Sequence, residues 1–172
     1  VSCFLVLALV IYALFGTNTS DVKVGVVLPL TGKFAAISED IQNAILLAQE
    51  NSGNTEIEFV FEDSGGEPQK AVSAITNLIV NKKVHMVIAG TGSTANIAMA
   101  KVANEYNVPL FAVTSTPELM GKVDSVFTLQ PSVIREVETM LQFLKNKEFK
   151  KVAVLYDGSS DSLTAGAKYF RE

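Results

Sequence analysis

Val87-Ile88-Ala89-Gly90-Thr91-Gly92-Ser93-Thr94-Ala95-Asn96 decides how this chain is read. An apolar run stops at a small, hydroxyl-rich turn, and an alanine-rich helical pattern follows. Such a turn leaves backbone N–H groups and hydroxyls pointing at open space where a helix begins, which suits an anion. The anion is a phosphate or the carboxylate of a small solute, and the rest of the chain argues for the solute.

The same strand, turn and helix rhythm extends on both sides. Val22 to Leu30 is a nearly continuous β-branched apolar run, as expected of a strand covered on both faces. Ser38-Glu39-Asp40 offers an N-cap with acids in the first turn, and Ile37, Ile41, Ile45 and Ala48 follow at helical spacing. Asn51 to Asn54 ends that helix. Glu56 to Glu62 alternates as a strand nearer an edge, and Asp63 to Pro68 is a loop, with Pro68 suited to a first helical turn. Ala71, Ala74, Ile75, Leu78 and Ile79 form the next apolar stripe. Val84 to Ala89 reads as a third strand, Ala95 to Tyr106 as a third helix, and Val108 to Val113 as a fourth strand.

This alternation with short loops predicts an α/β fold with a parallel sheet, right-handed crossovers and helices on both faces. Ligands gather at the carboxyl ends of such strands. Those ends are Pro29 to Gly32, Asp63-Ser64, Gly90 to Thr94, and Thr114-Ser115-Thr116. All four carry hydroxyls and none carries a cation before Lys33, so the expected cleft is polar and close to neutral.

After Thr116 the rhythm loosens. Val126 to Ser132 is a short extended piece closed by Pro131, and a new set begins beyond it. Val133, Val137, Met140, Leu141 and Leu144 stripe a helix, Val152 to Tyr156 reads as a strand, and Asp157 to Asp161 as its carboxyl-end loop. A further helix runs to Glu172. One strand and two helices cannot cover one another unaided, so this reads as a second lobe begun and not finished, and the chain as a fragment.

Composition removes several function classes. The 172 residues are 48% hydrophobic and carry a net charge of −4. Lys145, Lys147, Lys150 and Lys151 alternate with Asn146, Glu148 and Phe149, which is a solvated helix end and not a nucleic-acid patch. Cys3 is the only cysteine, which excludes an internal disulfide framework and a cysteine-built zinc site. His85 is the only histidine and alternates with Val84 and Met86 inside an apparent strand, a structural position mid-sheet. No metal site, cofactor or catalytic residue is assigned.

Val1 to Phe15 is an uncharged apolar run followed by Gly16 to Ser20. A membrane span needs about 20 such residues and a signal-peptide apolar core about 7–15. Residues 1–20 are therefore expected to be a signal peptide or an N-terminal membrane anchor, the anchor occupying 1–16, and the protein to be exported to the periplasm or cell surface.

Gly90-Thr91-Gly92-Ser93-Thr94-Ala95 also matches the dinucleotide fingerprint G-x-G-x-x-[GA]. It lies in the third strand-helix unit and not the first, and the following strand ends at Val113-Thr114, where an acid would hold a ribose. Thr91, Ser93 and Thr94 suit direct ligand contacts instead. There is no G-x-S-x-G elbow, and a hydrolytic triad would have to use His85. Asp63 and Asp157 end strands within Gly/Ser loops, where turn-forming or polar-ligand roles are expected.

KVGVVLPLTGKFA (23–35), EDSGGEPQKAVSAITNLI (62–79), VIAGTGSTAN (87–96), NVPLFAVTSTPEL (107–119), VFTLQPS (126–132) and KVAVLYD (151–157) resemble, in that order, the type I periplasmic solute-binding proteins of the leucine/isoleucine/valine-binding kind, which feed ABC importers. The resemblance implies two α/β lobes joined at a hinge with ligand between them. Residues 21–130 would be most of the first lobe, with its return segment missing, and 131–172 the start of the second. It implies that Ser93, with Thr94 beside it, and Thr114-Ser115-Thr116 grip a ligand carboxylate. Ser93 capping its own helix is compatible with that role. Asp161 stands near the place where many members carry an aromatic over the ligand, which makes it a second-lobe contact and sets this chain apart from leucine binders.

The function implied is a non-enzymatic solute-binding protein with an ABC permease as partner, taking an amino acid or similar small carboxylate or amide. The same fold also serves as a ligand-sensing receptor ectodomain, which Val1 to Phe15 as a retained anchor would suit. A nucleotide-dependent enzyme is the third reading.

Overall fold

The computed structural model describes residues 22–53, 56–90 and 92–172. The export segment and Thr91 lie outside the described residues. Strands β1 (Val22–Leu28), β2 (Ile57–Asp63), β3 (Met86–Ala89), β4 (Leu110–Ala112) and β5 (Val126–Thr128) form one sheet in the order β2-β1-β3-β4-β5. Every neighbouring pair is parallel. That order explains the two sequence textures. β1 lies inside the sheet, where its apolar run is buried from Val24 to Leu28. β2 lies at the edge, where its alternating residues are half-buried.

Helix α1 (Ala35–Ser52) follows a single 3₁₀ turn at Gly32–Phe34. α2 (Pro68–Val80) opens on proline at its first position, where the missing N–H costs nothing. It buries Ala71, Ala74, Ile75 and Leu78. α3 (Ser93–Glu105) presents Ala95, Met99, Ala100 and Ala103 to the same core, and the three small alanines let it pack closely on α2. α4 (Val133–Asn146) and α5 (Asp161–Arg171) pack on each other, each capped by a serine: Ser132 Oγ accepts from the Ile134 N–H and Ser160 Oγ from the Leu163 N–H. Gly166 permits their close approach, since a Cβ there would stand 2.8 Å from Val133 Cγ2.

Four expectations are corrected. The first helix starts at Ala35, not at a Ser38 cap, because the 3₁₀ turn feeds directly into it. Ser38 is then an internal, buried position, and its Oγ has no hydrogen-bond partner among the described residues. His85 is exposed and precedes β3, at the amino edge of the sheet, where its Nδ1 accepts from the Lys23 N–H at 3.0 Å. Residues 126–128 do not merely extend; they add a fifth strand beside β4. Val152 to Tyr156 forms no strand, because no described strand lies beside it to accept its hydrogen bonds, and Leu155 is 99% exposed.

Candidate solute cleft

Parallel strands end together, so four loops meet above the carboxyl edge of the sheet. The β1 loop is fixed by Asp63 at the end of β2. One carboxylate oxygen accepts from the Thr31 hydroxyl at 2.6 Å, and the other from the N–H groups of Gly65 at 2.7 Å and Thr31 at 3.2 Å. Partial burial pushes this carboxyl up, but the hydrogen bonds from Thr31, Gly65 and the Leu30 backbone outweigh it and hold Asp63 below the usual carboxylate range. Asp63 is thus a turn-forming residue that sets the loop carrying Lys33 and Phe34.

A second clamp joins the β3 and β4 loops. Asn96, fully buried in the first turn of α3, donates from Nδ2 to the Gly90 carbonyl at 2.9 Å and reaches the Val113 carbonyl at 3.5 Å. Its Oδ1 has no partner among the described residues. Gly92 enters the helix at φ +121°, a conformation that disfavours side chains, and lets the chain turn sharply before Ser93. These features place Ser93, Thr94, Thr114 and Ser115 along one rim.

The rim faces the loop after Tyr156 across a cleft of about 620 Å³. Ser93, Thr94, Thr114 and Ser115 line the near side, and Ser159, Ser160 and Ser162 line the far side. Lys33 with Phe34 and Asp157 also line it, one cation against one carboxylate, so the lining is formally neutral. Lys33 Nζ lies 4.8 Å from the centroid of the Phe34 ring. The Ser159 hydroxyl and N–H hold the Asp157 carboxyl low, and the charge of Lys33 adds to them against the cost of burial. Asp157 therefore stays ionised at neutral pH.

Two hydrogen bonds cross from the sheet side to α5. Ser93 Oγ donates to Ser162 Oγ at 3.0 Å, and Thr94 Oγ1 donates to Asp161 Oδ2 at 2.6 Å. Ser160 Oγ lies 3.3 Å from Ser162 Oγ and continues the hydroxyl chain. Thr116 does not join the rim: it is buried and gives its hydroxyl to Glu118, while its N–H donates to Thr114 Oγ1. Asp161 meets the rim through Thr94.

Nothing in the sequence alone points to Asn96, Lys33, Phe34, Ser159, Ser160 or Ser162 as members of the cleft or its supports. Asn96 stood inside the deciding stretch without a partner visible in the sequence, and Ser162 was one position from Asp161. Among the described residues no three His, Cys, Asp or Glu side chains gather to hold a metal, and no helix is long and apolar enough to cross a membrane.

Residues 21–171 match the sequence profile of a family described as periplasmic binding protein. The Leu/Ile/Val-binding protein homolog 3 of Brucella melitensis is 31% identical over 147 residues, which cover 80% of this chain and 40% of that protein. The chain thus spans about 40% of the length of this relative. The branched-chain amino acid transporter substrate binding protein LivJ of Streptococcus pneumoniae, solved with isoleucine, superposes with a TM-score of 0.78 at 27% identity, over 87% of this chain and 45% of that one. A solute binding protein of an ABC transporter from Rhodopseudomonas palustris, solved with 3,4-dihydroxybenzoic acid, superposes at 0.77 with 26% identity, over 90% and 44%.

Proposed function

The chain belongs to the periplasmic binding protein family, and on that premise we propose that it is the ligand-gripping part of an extracytoplasmic solute-binding protein of an ABC importer. Its solute is an amino acid or similar small carboxylate, held between two lobes and released to a permease. Residues 1–20 would direct export or anchor the protein at the membrane.

One observation carries this reading: hydroxyls from two separate parts of the chain line a single neutral cleft where α3 begins. A carboxylate there meets the positive end of the helix and neutral donors, with no buried cation to desolvate. In the present arrangement Ser93 and Thr94 give their protons to Ser162 and Asp161. Ligand entry would exchange those acceptors for the ligand carboxylate, so binding and the approach of the lobes are coupled. Isoleucine and 3,4-dihydroxybenzoic acid, bound by two similar proteins, share only the carboxylate as a charged acceptor, which supports that group as the common handle. No reaction is required: Asp157, tied to Ser159 and kept ionised, is a poor proton acceptor.

Calorimetric titration of the full-length protein with a panel of amino acids and simple carboxylates tests this. A hydrogen bond to a charged group is worth about 1.5–3 kcal/mol, so Ser93→Ala should weaken binding by about tenfold or more. Unchanged affinity would remove Ser93 from the site.

A further inference from the structure

We propose that Lys33 and Asp157 bracket the far end of the solute, so that the cleft selects a carboxylate whose other end is a neutral carboxamide. The inference rests on the solute-binding reading and names the chemical class of solute within it.

The two residues stand on opposite walls of one cavity. Lys33 lies in the 3₁₀ turn after β1 and Asp157 in the loop after Tyr156, and both line the cleft that the Ser93 rim lines. Among the described residues they are the only ionisable side chains in that lining. Neither forms an ion pair with the other or with any other described residue. Lys33 is steered by its neighbour: its Nζ stands 4.8 Å from the centroid of the Phe34 ring. That ring packs on Gly66, where a Cβ would lie 3.4 Å from Phe34 Cδ2. The ring gives the ammonium no acceptor oxygen. Asp157 Oδ1 accepts from the Ser159 N–H at 2.9 Å and hydroxyl at 2.7 Å, and its Oδ2 has no partner among the described residues. A charged donor and a charged acceptor thus face one another across the cleft without direct contact.

That pair sorts solutes by their distal group. A second carboxylate gains Lys33 but meets Asp157, and an ammonium gains Asp157 but meets Lys33; like charges at close range repel. An apolar end holds the two charges apart and leaves each without a partner as closure removes water. A carboxamide satisfies both at once, its oxygen accepting from Lys33 and its amide N–H donating to Asp157. Phe34, Pro68 and Leu163 belong to the same lining and can cover the intervening methylenes. The solute's own carboxylate stays on the hydroxyl rim.

The test uses two sets of five-carbon solutes that differ only at the far end. One is glutamine, glutamate, ornithine and norvaline; the other is their counterparts without the α-amine, glutaramate, glutarate, 5-aminopentanoate and pentanoate. Full-length wild type, Lys33→Met and Asp157→Asn are titrated calorimetrically with all eight. Methionine keeps an unbranched stem over Phe34 and asparagine keeps an oxygen for Ser159, and matching melting curves show that the fold is kept. In at least one set, wild type should bind the carboxamide about tenfold or more tightly than each of its three partners. Asp157→Asn should raise affinity for the distal acid and Lys33→Met that for the distal amine, a reciprocal shift that a structural role for either residue would not produce. A wild-type preference for the acid, the amine or the apolar end would overturn the inference, as would variants that leave the ranking unchanged. In either case Ser93→Ala still weakening the solute that binds would leave the solute-binding reading in place. If none of the eight binds but another carboxylate does, the inference alone falls; if no carboxylate binds, both fall.

Discussion

β1 and the segment Val152 to Tyr156 have nearly the same sequence texture and opposite fates. Each is a β-branched apolar run that stops at a polar turn. In β1, Val26 and Leu28 are fully buried between β2 and β3. In the later segment Leu155 is almost wholly exposed and the backbone pairs with nothing described. Apolar character makes a strand possible, but a strand exists only when neighbours complete its ladder. The two helices beside each run differ in the same way. α2 buries four residues in a continuous core, whereas α4 leaves Met140 and Phe143 more than half exposed.

The contrast is open to direct attack. Leu78→Ala removes a fully buried side chain from under β1 and should cost about 2–5 kcal/mol in urea denaturation. Asn96→Ala frees the Gly90 and Val113 carbonyls from their shared donor and should cost about 1–3 kcal/mol, with weaker solute binding, since both hydroxyl loops lose their tie. Gly166→Ala probes the other half. Helix propensity alone would gain about 0.5–1 kcal/mol, but overpacking against Val133 should reverse the sign, seen as faster amide exchange in α4 and α5 with the sheet unaffected.

Asp63 gives a pH signature confined to the sheet side. Its carboxyl titrates lower in the folded chain than in the unfolded one, so its stabilisation is present above the unfolded value and lost as pH falls through the folded value. The stability gap between wild type and Asp63→Asn should therefore shrink below about pH 4, measured by denaturation at stepped pH. In the 172-residue chain Leu155→Ser should give the smallest effect, within about 0.5 kcal/mol, because the side chain it removes touches solvent there. A large loss there would show that 152–156 is covered after all.

These differences also mark where sequence was informative. Strands β1 to β4 and helices α2 and α3 were legible because their apolar periods are local and each run has the turn residues that bound it. The clustering of Ser93, Thr94, Thr114 and Ser115 followed from topology, since parallel strands must end on one edge. Thr116 was not separable from its neighbours, because only the direction of the chain at Pro117 gives its hydroxyl to Glu118. The start of α1 was misplaced because Ser38-Glu39-Asp40 imitates a cap that the preceding 3₁₀ turn makes redundant. Hidden entirely were the contacts that cross the cleft. Ser93 meets Ser162 and Thr94 meets Asp161 over 69 and 67 residues, and no local period encodes such a meeting.

A crystal structure of the full-length protein with its bound solute tests the central claim most directly. The solute carboxylate should lie within hydrogen-bond distance of Ser93 Oγ, with Thr114 or Ser115 beside it and the α3 N-terminus behind. A solute seated elsewhere, with that rim filled only by water, would contradict the account.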